Sequence, residues 1–229
     1  MAISTVLYDR ADSFYDDDGH IQDGGYYEKQ EYAFYLEYGL NSRITLVGRL
    51  AWQDVARLDA GNVDTVQGFA ASEAGARLMI WRNDHSVISG QITALAPGDG
   101  ENITDHDLGE GAVGAEIRAL VGRSLGSTTF IDLQAAYRWR DQSFQDEARF
   151  DLTFGWRPRP NILVLAQEFS TWSVTDPMIG RRAFSHHKIQ ASIGFTTSRG
   201  DIHIGGYMTP AGRNAIAERA IFFGLWQQF

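Results

Sequence analysis

Strict alternation of apolar and polar residues over about ten positions recurs from one end of this chain to the other, and no helical pattern competes with it. Ile44, Leu46, Gly48, Leu50 and Trp52 share one face of a segment whose other face carries Thr45, Val47, Arg49, Ala51 and Gln53. Val113, Ala115, Ile117, Ala119 and Val121 oppose Gly114, Glu116 and Arg118 in the same way. Leu133, Ala135, Tyr137 and Trp139 oppose Asp132, Gln134, Ala136 and Arg138, and Phe150, Leu152, Phe154 and Trp156 oppose Arg149, Asp151 and Thr153. Successive side chains of a strand point to opposite faces, so each segment reads as a strand with one oily and one ionic side. The expected class is all-β.

Short turn signals at Asn41-Ser42-Arg43, Asn83-Asp84-His85, Gly126-Ser127, Pro158-Arg159-Pro160 and Arg199-Gly200-Asp201 punctuate the pattern roughly every 40 residues. Longer acidic, glycine-rich stretches lie between them, at Asp16–Gly25, Asp59–Val66, Pro97–Gly111, Asp141–Glu147, Thr175–Ser185 and, more briefly, Pro210–Ala215. The spacing predicts twelve strands, over 4–14, 28–39, 43–55, 67–81, 86–96, 112–123, 128–140, 148–157, 161–173, 186–197, 201–209 and 216–229. No linker or shift of composition divides them, so residues 1–229 read as one domain.

Alternation alone does not distinguish a soluble β-barrel or sandwich from a membrane barrel, because either orientation gives the same period. Four features favour the membrane. The strands approach the 9–11 tilted residues that cross a bilayer, and their number is even. Short turns alternate with long polar loops, the arrangement of periplasmic turns and extracellular loops in outer-membrane barrels. Aromatic residues gather near strand ends, at Tyr35, Tyr38, Trp52, Trp81, Trp139, Trp156, Trp172 and Trp226. The last segment, AIFFGLWQQF, puts Ile221, Phe223, Leu225 and Phe229 on one face. No apolar run reaches the length of a spanning helix, and any export signal is expected to have been removed.

That terminal pattern resembles the C-terminal signature of bacterial outer-membrane β-barrels, which implies that Phe229 is an assembly signal read by the barrel-assembly machinery. Gln227 departs from the apolar or aromatic residue usual two places before the end. The hairpin LEYGLNSRITL, Leu36–Leu46, is similar to one in outer-membrane transporters of the phenol-degradation MetA-pathway group. It supports the architecture and leaves the solute open. The expected fold is therefore a closed antiparallel transmembrane barrel in the bacterial outer membrane, bounded by lipid and lipopolysaccharide.

If the apolar face meets lipid, the opposite face lines a lumen. By parity it carries Glu37, Arg49, Glu73, Arg77, Glu116, Arg118, Asp132, Arg138, Arg149, Asp151, Glu168 and Lys188, together with Glu31, His203 and Glu218. Pairings such as Glu37 with Arg49 and Glu168 with Lys188 are expected, since charges in a poorly solvated interior need partners. Two readings stay open: the pairs are scaffolding, or they line a conduit in which unmatched charges bias passage of ions or small solutes. Twelve strands enclose more space than eight, which favours a channel. Tyr35, Met79, Phe222 and Trp226 could still close it. The alternatives are a non-conducting barrel that docks an envelope protein and, less favoured, a lipid-modifying enzyme.

The expected long loops carry Asp16, Asp17, Asp18, Asp23, Asp59, Asp64, Asp99, Glu101, Asp105, Asp107, Glu110, Asp146 and Glu147, whereas the short turns carry Arg43, Arg82, Arg123, Arg157, Arg159 and Arg199. Solvated loops explain the acids, and the Glu101–Glu110 stretch lacks the spacing of an EF-hand. With 20 Lys and Arg against 29 Asp and Glu, nucleic acid is excluded as a partner. Absence of cysteine removes thiolate metal sites and Cys nucleophiles. Ser185, His186 and His187 near Glu168 are the one arrangement that invites a nucleophile test, and incidental placement of a surface His pair is the simpler reading. His20, His85, His106 and His203 have no metal-ligand spacing. Neither a cofactor nor a metal is expected.

Overall fold

In the computed structural model the chain forms one antiparallel ribbon that returns to its own first strand. The structure describes residues 1–59, 61–98, 102–103, 106–107, 113–141, 144–175 and 182–229. The wall strands are β1 (Ala2–Tyr15), β2 (Ile21–Gly39), β3 (Ile44–Asp59), β4 (Asn62–Phe69 continued by Ser72–Arg82), β5 (Ser86–Ala96) and β6 (Gly114–Ser124). They continue as β7 (Thr129–Arg140), β8 (Glu147–Arg159), β9 (Ile162–Ser173), β10 (Ser185–Thr197), β11 (Gly200–Arg213) and β12 (Ala215–Ile216 continued by Arg219–Gln227). Each pairs with its chain neighbours, and β12 closes the ring on β1 from Ala2↔Gln227 to Arg10↔Arg219. Closure leaves the wall no open edge, as hydrocarbon demands of backbone groups.

Local chemistry explains the short turns. The Asn41 side-chain oxygen accepts the backbone N–H groups of Arg43 at 2.8 Å and Ile44 at 2.9 Å. Asn83 does the same for His85 at 2.9 Å and Ser86 at 2.7 Å. Both are Asx-type turns that need no glycine. The Met1 ammonium donates to the Glu37 carbonyl at 2.8 Å, so the chain starts at the short-turn end.

Two expected loops are shorter than their composition suggests. β2 begins at Ile21 and β4 at Asn62, so much of Asp16–Gly25 and Asp59–Val66 is paired strand. An existing ladder edge overrides the low strand preference of Asp and Gly. The acidic positions Asp99, Glu101, Asp105 and Glu110 lie outside the described residues. β4 is interrupted at Ala70 and Ala71, both fully buried. Even-numbered residues are the more buried before this break and odd-numbered ones after it. In β11 an extra residue falls opposite β10 between Met208 and Ala211, and Pro210, which lacks an N–H, occupies that stretch.

The wall is apolar outside. Leu133, Phe154 and Phe223 are exposed on it, while Glu116 and Arg138 face inward and are buried. Tyr38, Trp81 and Trp156 lie outward near the short-turn end, and Trp139 and Trp172 near the opposite end, as two aromatic girdles. Tyr35 and Trp226 turn inward instead: Tyr35 meets lumen charges, and Trp226 stacks on buried His203.

Candidate functional site: the barrel interior

The interior divides into ionic clusters and an apolar zone. On β4, β6, β7 and β8, Arg138 donates to Glu116 at 2.9 Å and to Glu73 at 3.0 Å. Arg118 spans Glu116 at 2.8 Å, Gln134 at 2.9 Å and the Asp151 carboxylate. Glu147 receives Arg149 at 2.8 Å and Arg140 at 3.1 Å. Asp132 accepts from the Gln134 amide at 2.7 Å. Antiparallel pairing sets Arg138 directly opposite Glu116, whereas Arg138 reaches Glu73, and Arg118 reaches Asp151, past intervening strands. Like-facing acids and bases, on adjacent strands and across the interior, thus neutralise each other at hydrogen-bond distance.

A second group joins β2, β3 and β4. Arg49 meets Glu31 at 3.0 Å, Gln53 donates to the same carboxylate at 2.5 Å, and Arg77 meets Glu37 at 2.9 Å and the Tyr35 hydroxyl at 3.2 Å. A third group crosses the closure seam. Asp9 accepts from Tyr207 at 2.7 Å and faces Lys29 at 3.7 Å, and Lys188 pairs with Glu218.

Towards the short-turn end the lining becomes apolar and aromatic, with Leu7, Phe130, Leu163, Leu165, Phe222 and Trp226. Glycines opposite these rings make room for them: a Cβ on Gly155 would strike the Phe130 ring, and one on Gly194 the His203 ring. Rings seated on glycine lie against the wall rather than across the opening. His203, 1% exposed, stacks on Trp226 with centroids 4.0 Å apart and planes 17° from parallel. Among the described residues neither of its ring nitrogens has a hydrogen-bond partner.

Four expectations need correction. Glu37 takes Arg77 and Arg49 takes Glu31, where Glu37 with Arg49 was expected, because Tyr35 and not Glu37 stands opposite Arg49 in the ladder. Lys188 reaches across to Glu218 on β12 rather than to Glu168. Glu168 itself faces away from the lumen: it pairs with Leu152 and Ile189, and Ile189 is exposed on the outer wall. The Ile162–Ala166 run is apolar on both faces, so parity along β9 carries no signal, and the inward positions there are Leu163, Leu165, Gln167 and Phe169. Glu147, expected in a loop, is buried in the lumen network. Asp9, Lys29 and Arg140 also belong to the interior and escaped the sequence reading. Alternation gives no signal for Asp9: Leu7 and Ala11 flank it inward, while charged Arg10 and Asp12 stand on the outward face.

On the outer wall, Ser170 Oγ lies 2.8 Å from both Glu168 Oε1 and His187 Nδ1. This is not a charge relay. The acid contacts the serine rather than the far nitrogen of the imidazole, and Ser170 is buried. Ser185 stands opposite Trp172 in the ladder, and His186, on the other face of β10 from His187, stacks on Phe184. Phe229 is exposed beyond the last residue of β12.

No protein-family model matches the chain, and no curated protein does. Solved structures match over its whole length. An outer membrane channel from Pseudomonas putida F1 superposes with a TM-score of 0.79 at 17% identity, over 100% of this chain and 95% of that one. The NanC porin gives 0.64 at 8% identity over 100% of both chains. The translocator domain of the autotransporter NalP from Neisseria meningitidis gives 0.60 at 12% identity, over 100% of this chain and 88% of that one. The fold is that of the bacterial outer-membrane β-barrels. Because channels and a translocator share it, activity has to be argued from the interior.

Proposed function

We propose that this protein is a passive outer-membrane channel whose ion-paired lumen passes ions or small polar solutes by diffusion. One observation carries the reading. Although they sit inside a closed barrel, Arg49, Arg77 and Lys188 keep 28%, 24% and 23% of their side-chain surface reachable by water. A packed core would leave such groups near zero. The likeness to an outer membrane channel and to a porin supports the same reading. Lumen-lining roles then fall to Glu37, Arg49, Glu73, Arg77, Glu116, Arg118, Asp132, Arg138, Arg149, Asp151 and Lys188. The short-turn end and both termini face the periplasm, and Phe229 is presented there to the barrel-assembly machinery. No catalytic role is assigned, since the Ser170 hydroxyl is buried and its backbone surroundings are engaged in strand pairing.

Planar-bilayer recording of the purified protein tests this. Discrete conductance steps are expected, and Arg118→Ala should move the reversal potential towards cation preference, because Glu116 and Asp151 lose a shared counter-charge. A silent bilayer with correctly folded protein refutes the channel. An unchanged reversal potential in a conducting variant relegates Arg118 to scaffolding.

A further inference from the structure

The strongest anomaly outside the lumen is a carboxylate in the wrong solvent. Glu168 stands on the outer face of β9, four residues beyond Val164, which is paired with girdle residue Trp156, and four before girdle residue Trp172. Four tilted strand residues rise about 10 Å, so its carboxyl group lies near the middle of the hydrocarbon layer. Its side chain is nevertheless 40% exposed, and His187 beside it is 31% exposed. The two are 4.0 Å apart and are bridged through Ser170. Ionisable groups at this depth mark function or protein contact by default. Directly below them the wall is low: Ala166, Ala191 and Gly206 form a continuous row across β9, β10 and β11. Small residues permit close approach of two walls in a membrane, and polar residues then join them.

We propose that this face of the barrel is where a second copy of the chain docks. Complementarity selects that occupant. An acid and an imidazole side by side on adjacent strands match their own two-fold image: about an axis along the membrane normal, Glu168 of one copy meets His187 of the second copy, and the reverse. Such pairing removes both groups from lipid and repeats the contact twice. The inference is independent of whether the lumen conducts.

The chain has no cysteine, so single thiols report the contact without background. Ala191→Cys, treated in native outer membranes with a short bis-maleimide, should yield a cross-linked band of twice the monomer mass. Leu50→Cys, on β3 across the barrel, should not. Adding Glu168→Gln or His187→Gln to Ala191→Cys should lower cross-linking about tenfold. Retained mobility of the folded form on unheated gels confirms that each variant is a barrel. Equal cross-linking at positions 191 and 50, cross-linking to a different protein, or no response to Glu168→Gln would each overturn the proposal.

Discussion

Arg138 shows how much structure one interior residue organises. Its guanidinium is shared by Glu73 and Glu116 on different strands; Arg138 and Glu116 are buried, while Glu73 keeps 22% of its side chain exposed. Removing one member of a buried ion group leaves the others uncompensated, which typically costs about 3–5 kcal/mol, far more than a surface pair is worth. Arg138→Ala is therefore expected to lower the urea midpoint of the lipid-embedded barrel by an amount equivalent to roughly that energy. A loss below about 1 kcal/mol would mean that the site resolvates freely. Gly194 offers a steric counterpart. A side chain there strikes the His203 ring, so Gly194→Val should destabilise by about 1–3 kcal/mol, and His203→Ala in the same chain should recover most of it. Additive losses in the double variant would show that the two positions do not share space.

At the scale of the strand, legibility followed the chemistry of each face. Ile44 to Gln53 and Leu133 to Arg138 display their orientation openly, because lipid and lumen impose opposite solvents on alternate residues. β9 hides its orientation, since the lumen beside Leu163 and Leu165 is itself apolar, and Glu168 on the outer wall inverts the rule that charge points inward. The break at Ala70 and Ala71 resets parity by one residue, which no pattern in a single sequence announces. Asn41 and Asn83, in contrast, declare their turns through a side-chain oxygen that substitutes for a backbone partner.

The connection between β1 and β2 is held by acids outside the membrane. The backbone N–H of His20 and the Gln22 amide hold Asp16 below the usual carboxylate range. The Asn214 amide, then the Arg213 charge, do so for Asp17. A carboxylate with a folded value below its unfolded one, about 3.9, stabilises fully above that unfolded value and loses its contribution as pH falls through the folded one. Hydrogen-exchange protection of the His20 amide should stay constant from pH 7 to about 5 and decline only below about 4. A decline already complete at pH 5 would show that these carboxylates are not the latch.

As a whole molecule, the barrel resolves a conflict that no open sheet of this sequence could. Most of its strands alternate ionic and apolar residues, and closure gives most of each set one solvent, with Glu168 outside and Leu163 and Leu165 inside as exceptions. Acids and bases are matched two to two in two of the interior clusters, and the cluster on β4, β6, β7 and β8 sets five acids against four bases, so the wall tolerates charge without a large net field; on the proposed channel reading, selectivity rests on small imbalances such as the one Arg118→Ala would create. The orientation of the two faces, apolar to lipid and ionic to the lumen, underlies each of these properties. Nitroxide spin labels placed singly at positions 133, 154 and 223, and at 118 and 151, measure it through collision with lipid-soluble oxygen or a water-soluble nickel chelate in reconstituted bilayers. The outer-wall positions should respond to oxygen, and 118 and 151 to the chelate; the opposite preference, or protection of 118 and 151 from both, would contradict a water-reached lumen enclosed by a lipid-facing wall.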